Sequence, residues 1–174
     1  FIYAAVGFHP HDASDYNEEA EKQLIELWNH PKNLAIGEIG LDYHYPDTDK
    51  EKQMRYFVAQ MEMAKELGIN VCIHDRESHA DIMEVIRAFP EVKGVLHSFS
   101  GSAEMAEELV KLGWMISFSG TLTFTNARKP KEAAARIPID NIMIETDCPY
   151  LAPHPKRGSL NHSGNLEYTN AVLA

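Results

Sequence analysis

Short apolar runs alternate with amphipathic stretches along the chain. The runs are residues 3–7 (YAAVG), 34–38 (LAIGE), 70–74 (NVCIH), 93–97 (KGVLH), 114–118 (WMISF) and 142–146 (IMIET). They are rich in Val and Ile and continuous rather than alternating. Strands buried on both faces of a parallel sheet read this way.

Helical periodicity fills the gaps. Between about 49 and 67, Met54, Phe57, Val58, Met61, Ala64 and Leu67 recur at i, i+3, i+4, i+7 spacing, and Gly68 sits at the expected stop. Ser102 can cap a helix carrying Ala106, Leu109 and Val110 and ending at Gly113. Further helices are expected over 77–89, stopping before Pro90, and over 17–28. A short one over 131–136 is opened by Pro130, and a last one covers 165–174. No repeat, linker or low-complexity tract divides the chain, so a single domain over 1–174 is predicted.

Alternating strands and helices predict an α/β fold with a parallel sheet. An open doubly wound sheet and a (β/α)8 TIM barrel both satisfy that pattern. The residues at the strand ends favour the barrel. The first run leads into His9 and His11, the second ends at Glu38, and the third ends at His74 before Asp75 and Arg76. The fourth ends at His97 and the sixth at Asp147. An open sheet gathers ligands at one switch point, whereas a barrel brings all its carboxyl ends to one face. Six runs imply about six of the eight βα units, short of a full barrel by on the order of 75 residues. Such a remnant would expose a sheet edge.

Composition narrows the function. The 174 residues carry 16 Lys+Arg against 26 Asp+Glu, a net charge of −10. That balance argues against a protein coating a nucleic-acid duplex through a basic face. It leaves room for a phosphate-handling enzyme whose positive charge resides on a divalent metal. No run of the sequence is long and apolar enough for a membrane span, and the first residues lack the basic start of a signal peptide. Cys72 and Cys148 lie in apolar runs. They read as buried free thiols of a reducing compartment, the cytoplasm. A monomer is expected, because a barrel closes its own edges.

Glu38, His74, His97 and Asp147 are the right types for a divalent metal site. Imidazole with carboxylate suits zinc, manganese, iron or nickel, and sets all-oxygen calcium sites aside. Their spacing forms no local motif, so the signal is their shared position at strand ends. Each alone reads equally as a structural residue. Arg76 is placed to pair with a phosphate oxygen through its forked donors, or with a neighbouring acid such as Asp75 or Glu77. Lys156 and Arg157 lie in a Pro- and Gly-containing loop that suits either a substrate contact or a solvated charge.

Five segments, GFHPHD (7–12), GEIGLDYHY (37–45), VCIHDRES (71–78), LHSFSGS (96–102) and IETDCPYLAPHPKRG (144–158), carry a resemblance. In order and approximate spacing they resemble the TatD family of metal-dependent deoxyribonucleases, which are amidohydrolase-like TIM barrels. The resemblance implies hydrolysis of DNA phosphodiesters, with 3′-to-5′ exonuclease action one form of it. It implies one or two divalent ions, among zinc, magnesium, manganese and nickel. Glu38 would bridge two metals, His74 and His97 would complete one shell, and Asp147 would bind the other metal and serve as general base. His9, Arg76 and Arg157 would contact the substrate.

The chain departs from the family in three places. The HxH pair of the family's first strand is absent, and His9-Pro10-His11 matches a different segment. The stretch after Gly158 lacks the usual Asn-Glu-Pro, and Cys148 replaces a small residue beside Asp147. Two other readings stay open: a barrel hydrolase of an amide, ester or lactone, and a catalytically dead chain with a residual site of weaker metal affinity.

Overall fold

Each of the six apolar runs forms a strand, and each amphipathic stretch a helix. The computed structural model describes residues 1–174 as β1 (Ala4–Val6), α1 (Glu18–Trp28), β2 (Asn33–Asp42), α2 (Lys50–Leu67), β3 (Asn70–Arg76) and α3 (His79–Ala88). Next come β4 (Gly94–Leu96), α4 (Ala103–Lys111), β5 (Met115–Phe118), α5 (Arg128–Arg136), β6 (Ile142–Ile144) and α6 (Leu166–Leu173). The chain divides into two compact units, Phe1–Gly94 and Val95–Ala174.

In the first unit β2 lies between β1 and β3, with both pairings parallel. Ile36, Ile39, Leu41, Val71 and Ile73 of these strands are almost fully buried with Phe57 and Met61 of α2. Each such side chain contributes roughly 1.5–3 kcal/mol by leaving water. Local chemistry sets the helix ends. The Asn17 side chain accepts the N–H groups of Glu19 and Ala20 at the start of α1. Asp49 accepts that of Lys52 at the start of α2, which Gly68 ends in the left-handed region (φ 63°).

Two expectations about this unit are corrected. β2 does not stop at Glu38 but runs on to Asp42. The register shifts between Ile36 and Ile39, and Gly40 takes a φ of 137°, so the glycines of GEIG accommodate an irregularity rather than ending the strand. The buried face of α2 also differs. Leu67 is exposed, while Gln53 and Gln60 are buried beside Phe57 and Met61.

Their amides explain it. Gln60 accepts the Phe8 N–H at 2.7 Å and donates to the Phe8 carbonyl at 3.2 Å. Gln53 accepts the Asp42 N–H at 2.9 Å and donates to the Pro10 carbonyl at 3.2 Å. Two glutamines, two helical turns apart, thus satisfy backbone groups of the loop after β1 and of the end of β2.

In the second unit β5 pairs in parallel with β4 and with β6. Leu96, Ala106, Leu109, Trp114, Ile116, Phe118 and Leu122 make its core. Ser102 caps α4 by accepting the Met105 N–H at 3.2 Å. α5 begins at Arg128, so Pro130 lies within its first turn rather than opening it. β6 ends at Ile144, earlier than the expected Thr146. Cys148 therefore leaves the strand and is exposed, and Cys72 is half-buried. The expectation of a buried thiol fails at Cys148 for that reason, while Cys72 stays within β3 and is only partly covered.

Candidate metal centre

In the first unit three ligand-type residues converge from three elements. Glu38 comes from β2, His74 from β3, and His9 precedes a 3₁₀ turn at Pro10–Asp12. One ligand atom from each lies within 4.8 Å of the others. His74 Nδ1 is 2.8 Å from Glu38 Oε1, and His9 Nε2 is 3.6 Å from the same oxygen.

Hydrogen bonds distinguish the two histidines. His9 Nδ1 accepts the backbone N–H of His11 at 3.2 Å. A neutral ring with Nδ1 as acceptor carries its proton on Nε2, so His9 presents a donor to the site. Burial and the neighbouring His74 keep His9 neutral by lowering its pKa to about 4, against the opposing pull of Glu38. Both ring nitrogens of His74 face carboxylates, Nδ1 at 2.8 Å from Glu38 Oε1 and Nε2 at 2.9 Å from Asp42 Oδ2; for Nδ1 to serve as a metal ligand, Nε2 must carry the proton and donate to Asp42. Burial pushes the Asp42 carboxyl up, but bonds from the His44 N–H and the His74 ring outweigh it, and its pKa is lowered.

Around this pair stand groups suited to a polar ligand. His11 Nε2 lies 2.9 Å from Asp42 Oδ2. The Arg76 guanidinium lies 4.0 Å from that carboxylate and 5.7 Å from the centre of the Tyr45 ring. Tyr45 is 51% exposed. The rings of His11 and His44 meet it edge-on at 5.3 and 5.1 Å. Arg76 thus leans toward Asp42 rather than its chain neighbours Asp75 and Glu77; His79 holds Asp75 at 2.7 Å and His44 holds Glu77 at 2.7 Å.

The second unit has its own cluster: ligand atoms of His97, Glu145 and Asp147 lie within 4.8 Å of one another. Glu145 Oε1 accepts the Ser98 N–H at 3.0 Å and lies 3.1 Å from His97 Nδ1. His97 then presents Nε2 as its lone-pair atom. Asp147 sits three residues beyond β6, with its backbone in the left-handed region (φ 59°), a conformation that non-glycine residues hold only under local constraint. Part of that constraint comes from Asn161. Its buried amide donates to the carbonyls of Thr146 and Tyr150 at 2.6 and 2.7 Å, and its oxygen accepts from Asn165 at 2.8 Å. Arg157 lies over the Phe124 ring at 4.3 Å.

Both clusters pass the chemical test for a divalent cation. Each offers imidazole nitrogen and carboxylate oxygen, the donor mixture that suits zinc, manganese, iron or nickel. In each, a ligand-type histidine has a carboxylate on its other ring nitrogen, the arrangement that orients metal-bound histidines. Sequence reasoning placed Asp42 just after the second run without giving it a role, and gave none to Glu145 or Asn161. A carboxylate four residues past Glu38 and another two residues before Asp147 were the available signals.

Comparison with known proteins agrees with this chemistry. The family model described as TatD related DNase matches residues 1–174. The metal-dependent hydrolase YabD of Bacillus subtilis is 44% identical over 176 residues, spanning 100% of this chain and 69% of its own length. The metal-dependent hydrolase TatD of Mycobacterium tuberculosis is 38% identical, spanning 99% of this chain and 68% of its own. A human 3′-5′ RNA nuclease, TATDN2, is 37% identical over 91% of this chain and 22% of its own. Among solved structures, the TatD homologue YjjV of Escherichia coli superposes with a TM-score of 0.92 at 31% identity, covering 98% of this chain and 67% of that one. The six parallel strands are thus βα units of that barrel fold, and the chain belongs to the TatD family of metal-dependent hydrolases.

Proposed function

We propose that the protein hydrolyses phosphodiester bonds in DNA, acting as a monomer from the end or within an unpaired strand. The observation that carries this reading is the pairing of Glu38 with His74 Nδ1 at 2.8 Å, with the donor atoms of His9 and Arg76 beside it. An anionic diester needs cation ligands and hydrogen-bond donors together, and this cluster holds both.

Under this reading Glu38, His74, His97 and Asp147 would be the metal ligands, and a bound divalent ion would supply Lewis acidity and a water of lowered pKa. Asp147 would take the proton of the attacking water at its carboxylate. His9 donates from Nε2 to a phosphoryl oxygen, and Arg76 offers a forked pair of donors to another. Arg157 pairs with a phosphate farther along the strand. Tyr45 is a half-exposed ring beside Arg76, a surface on which an unpaired base can stack. The family description names a DNase and the human relative is an RNA nuclease, so the two together support a nucleic-acid phosphodiester and the family description alone supports DNA.

The test is cleavage of end-labelled single-stranded DNA, duplex DNA and RNA by protein loaded with zinc, magnesium, manganese or nickel. Ester and lactone substrates are assayed in parallel. Metal-dependent DNA cleavage that chelation abolishes and Glu38→Gln lowers at least about 100-fold is expected. Undiminished cleavage by Glu38→Gln, or ester cleavage without nuclease activity, overturns the reading.

A further inference from the structure

Asp42 has no part in the chemistry above, yet it is the most completely buried acid of the first unit, with 0% of its surface exposed. A carboxylate so placed is unfavourable unless its lone pairs are used. Oδ1 accepts the His44 N–H at 3.0 Å. Oδ2 is hydrogen-bonded to His74 Nε2 at 2.9 Å, and the His11 ring nitrogen Nε2 lies at the same distance as a charge contact. The group is fixed from behind as well, because Gln53 accepts the Asp42 N–H and donates to the carbonyl of Pro10, the residue before His11.

We infer that Asp42 is a positioning residue: its buried Oδ2 accepts the Nε2 proton of His74 and so leaves Nδ1, the nitrogen beside Glu38, as the atom that His74 offers to a metal. The inference rests on Glu38 and His74 being metal ligands.

Asparagine at this position has the same shape and the wrong polarity. If its oxygen keeps the His44 N–H, its NH2 faces His74 and His11, and an acceptor has become a donor. If the amide turns over, the NH2 faces the His44 N–H. Either way two donors meet. The first arrangement relaxes by moving the His74 proton to Nδ1, the ligand atom.

The experiment is a zinc titration of chelator-treated protein against a competing dye. Imidazole 15N spectra of the zinc-loaded protein and a thermal melt accompany it. In the wild type, the His74 signal is expected in the Nε2–H form. That measurement needs no variant, and an Nδ1–H form of His74 overturns the inference. In Asp42→Asn we expect the His74 signal to move toward Nδ1–H and zinc affinity to fall about 10–100-fold. His74→Ala is the control. If it leaves zinc affinity unchanged, the ligand assignment fails and this inference with it. If His74→Ala weakens zinc while Asp42→Asn keeps both wild-type affinity and tautomer, the inference alone is overturned.

Discussion

Gln53→Ala isolates how α2 holds the site. Gln53 is 5% exposed and makes two hydrogen bonds, from the buried Asp42 N–H at 2.9 Å and to the Pro10 carbonyl at 3.2 Å. Truncation leaves both backbone groups without that partner. An unsatisfied buried group costs about 1–3 kcal/mol, which gives roughly 2–6 kcal/mol for the pair. A water admitted into the vacated space could serve both groups and would bring the loss to the low end. The better helix propensity of alanine returns less than about 0.5 kcal/mol. We therefore expect a loss of about 2–5 kcal/mol in urea unfolding, read from the midpoint and slope. Hydrogen exchange gives the local readout, since the Asp42 amide should lose protection relative to the amides of β3. Glu62→Ala, at an exposed position of the same helix, should stay within about 0.5 kcal/mol. A loss under about 1 kcal/mol, with the Asp42 amide still protected, would refute the view that this glutamine supports the end of β2.

Three other substitutions probe the backbone and the substrate face. Asn161→Ala removes donors to the carbonyls of Thr146 and Tyr150; a loss of about 2–4 kcal/mol and faster proteolysis within 148–160 are expected, and an unchanged cleavage pattern would count against its holding the Asp147 segment. Gly40→Ala places a methyl group against the His74 carbonyl at a φ of 137°, so a loss of at least about 3 kcal/mol in chemical unfolding is expected. Tyr45→Ala should weaken single-stranded DNA binding by about 1–3 kcal/mol, with Tyr45→Phe unaffected and the difference absent on a strand lacking the stacked base; equal weakening on both strands would remove the stacking role.

The sequence pattern located every strand and helix because buried parallel strands and amphipathic helices leave opposite periodicities. It misplaced ends where backbone geometry, not composition, decides. Gly37 and Gly40 look like punctuation, yet β2 passes through both and carries on to Asp42. Thr146 looks like strand, yet β6 stops at Ile144 and the chain turns sharply at Asp147. Polar residues on the inner face of α2 were unreadable for a related reason. Gln53 and Gln60 are buried for the backbone groups they satisfy, and periodicity scores a side chain's own polarity, not its partner's. The ligand-type residues were legible because four strands each deliver a His or an acid near the carboxyl end. Their orienting partners were not, since an Asp or Glu elsewhere in such a segment reads as one more acid in a chain of net charge −10.

Those partners obey one logic in both units. His74 has Glu38 at Nδ1 and Asp42 at Nε2. His97 has Glu145 at Nδ1, in a cluster that also includes Asp147. A neutral imidazole is a good ligand only when its proton is held on the far nitrogen, and a carboxylate holds it there more firmly than water does. As metal ligands the two rings would be pinned by opposite nitrogens, His74 presenting Nδ1 and His97 presenting Nε2. This difference comes from where each acid sits. Asp42 lies at the end of the neighbouring strand β2, whereas Glu145 comes directly after β6. Under the proposed ligand set, the ligand atom of each histidine is chosen by the position of an acid on another segment. That choice is tertiary, which is why the residue types could be read along the chain while the atoms they present could not.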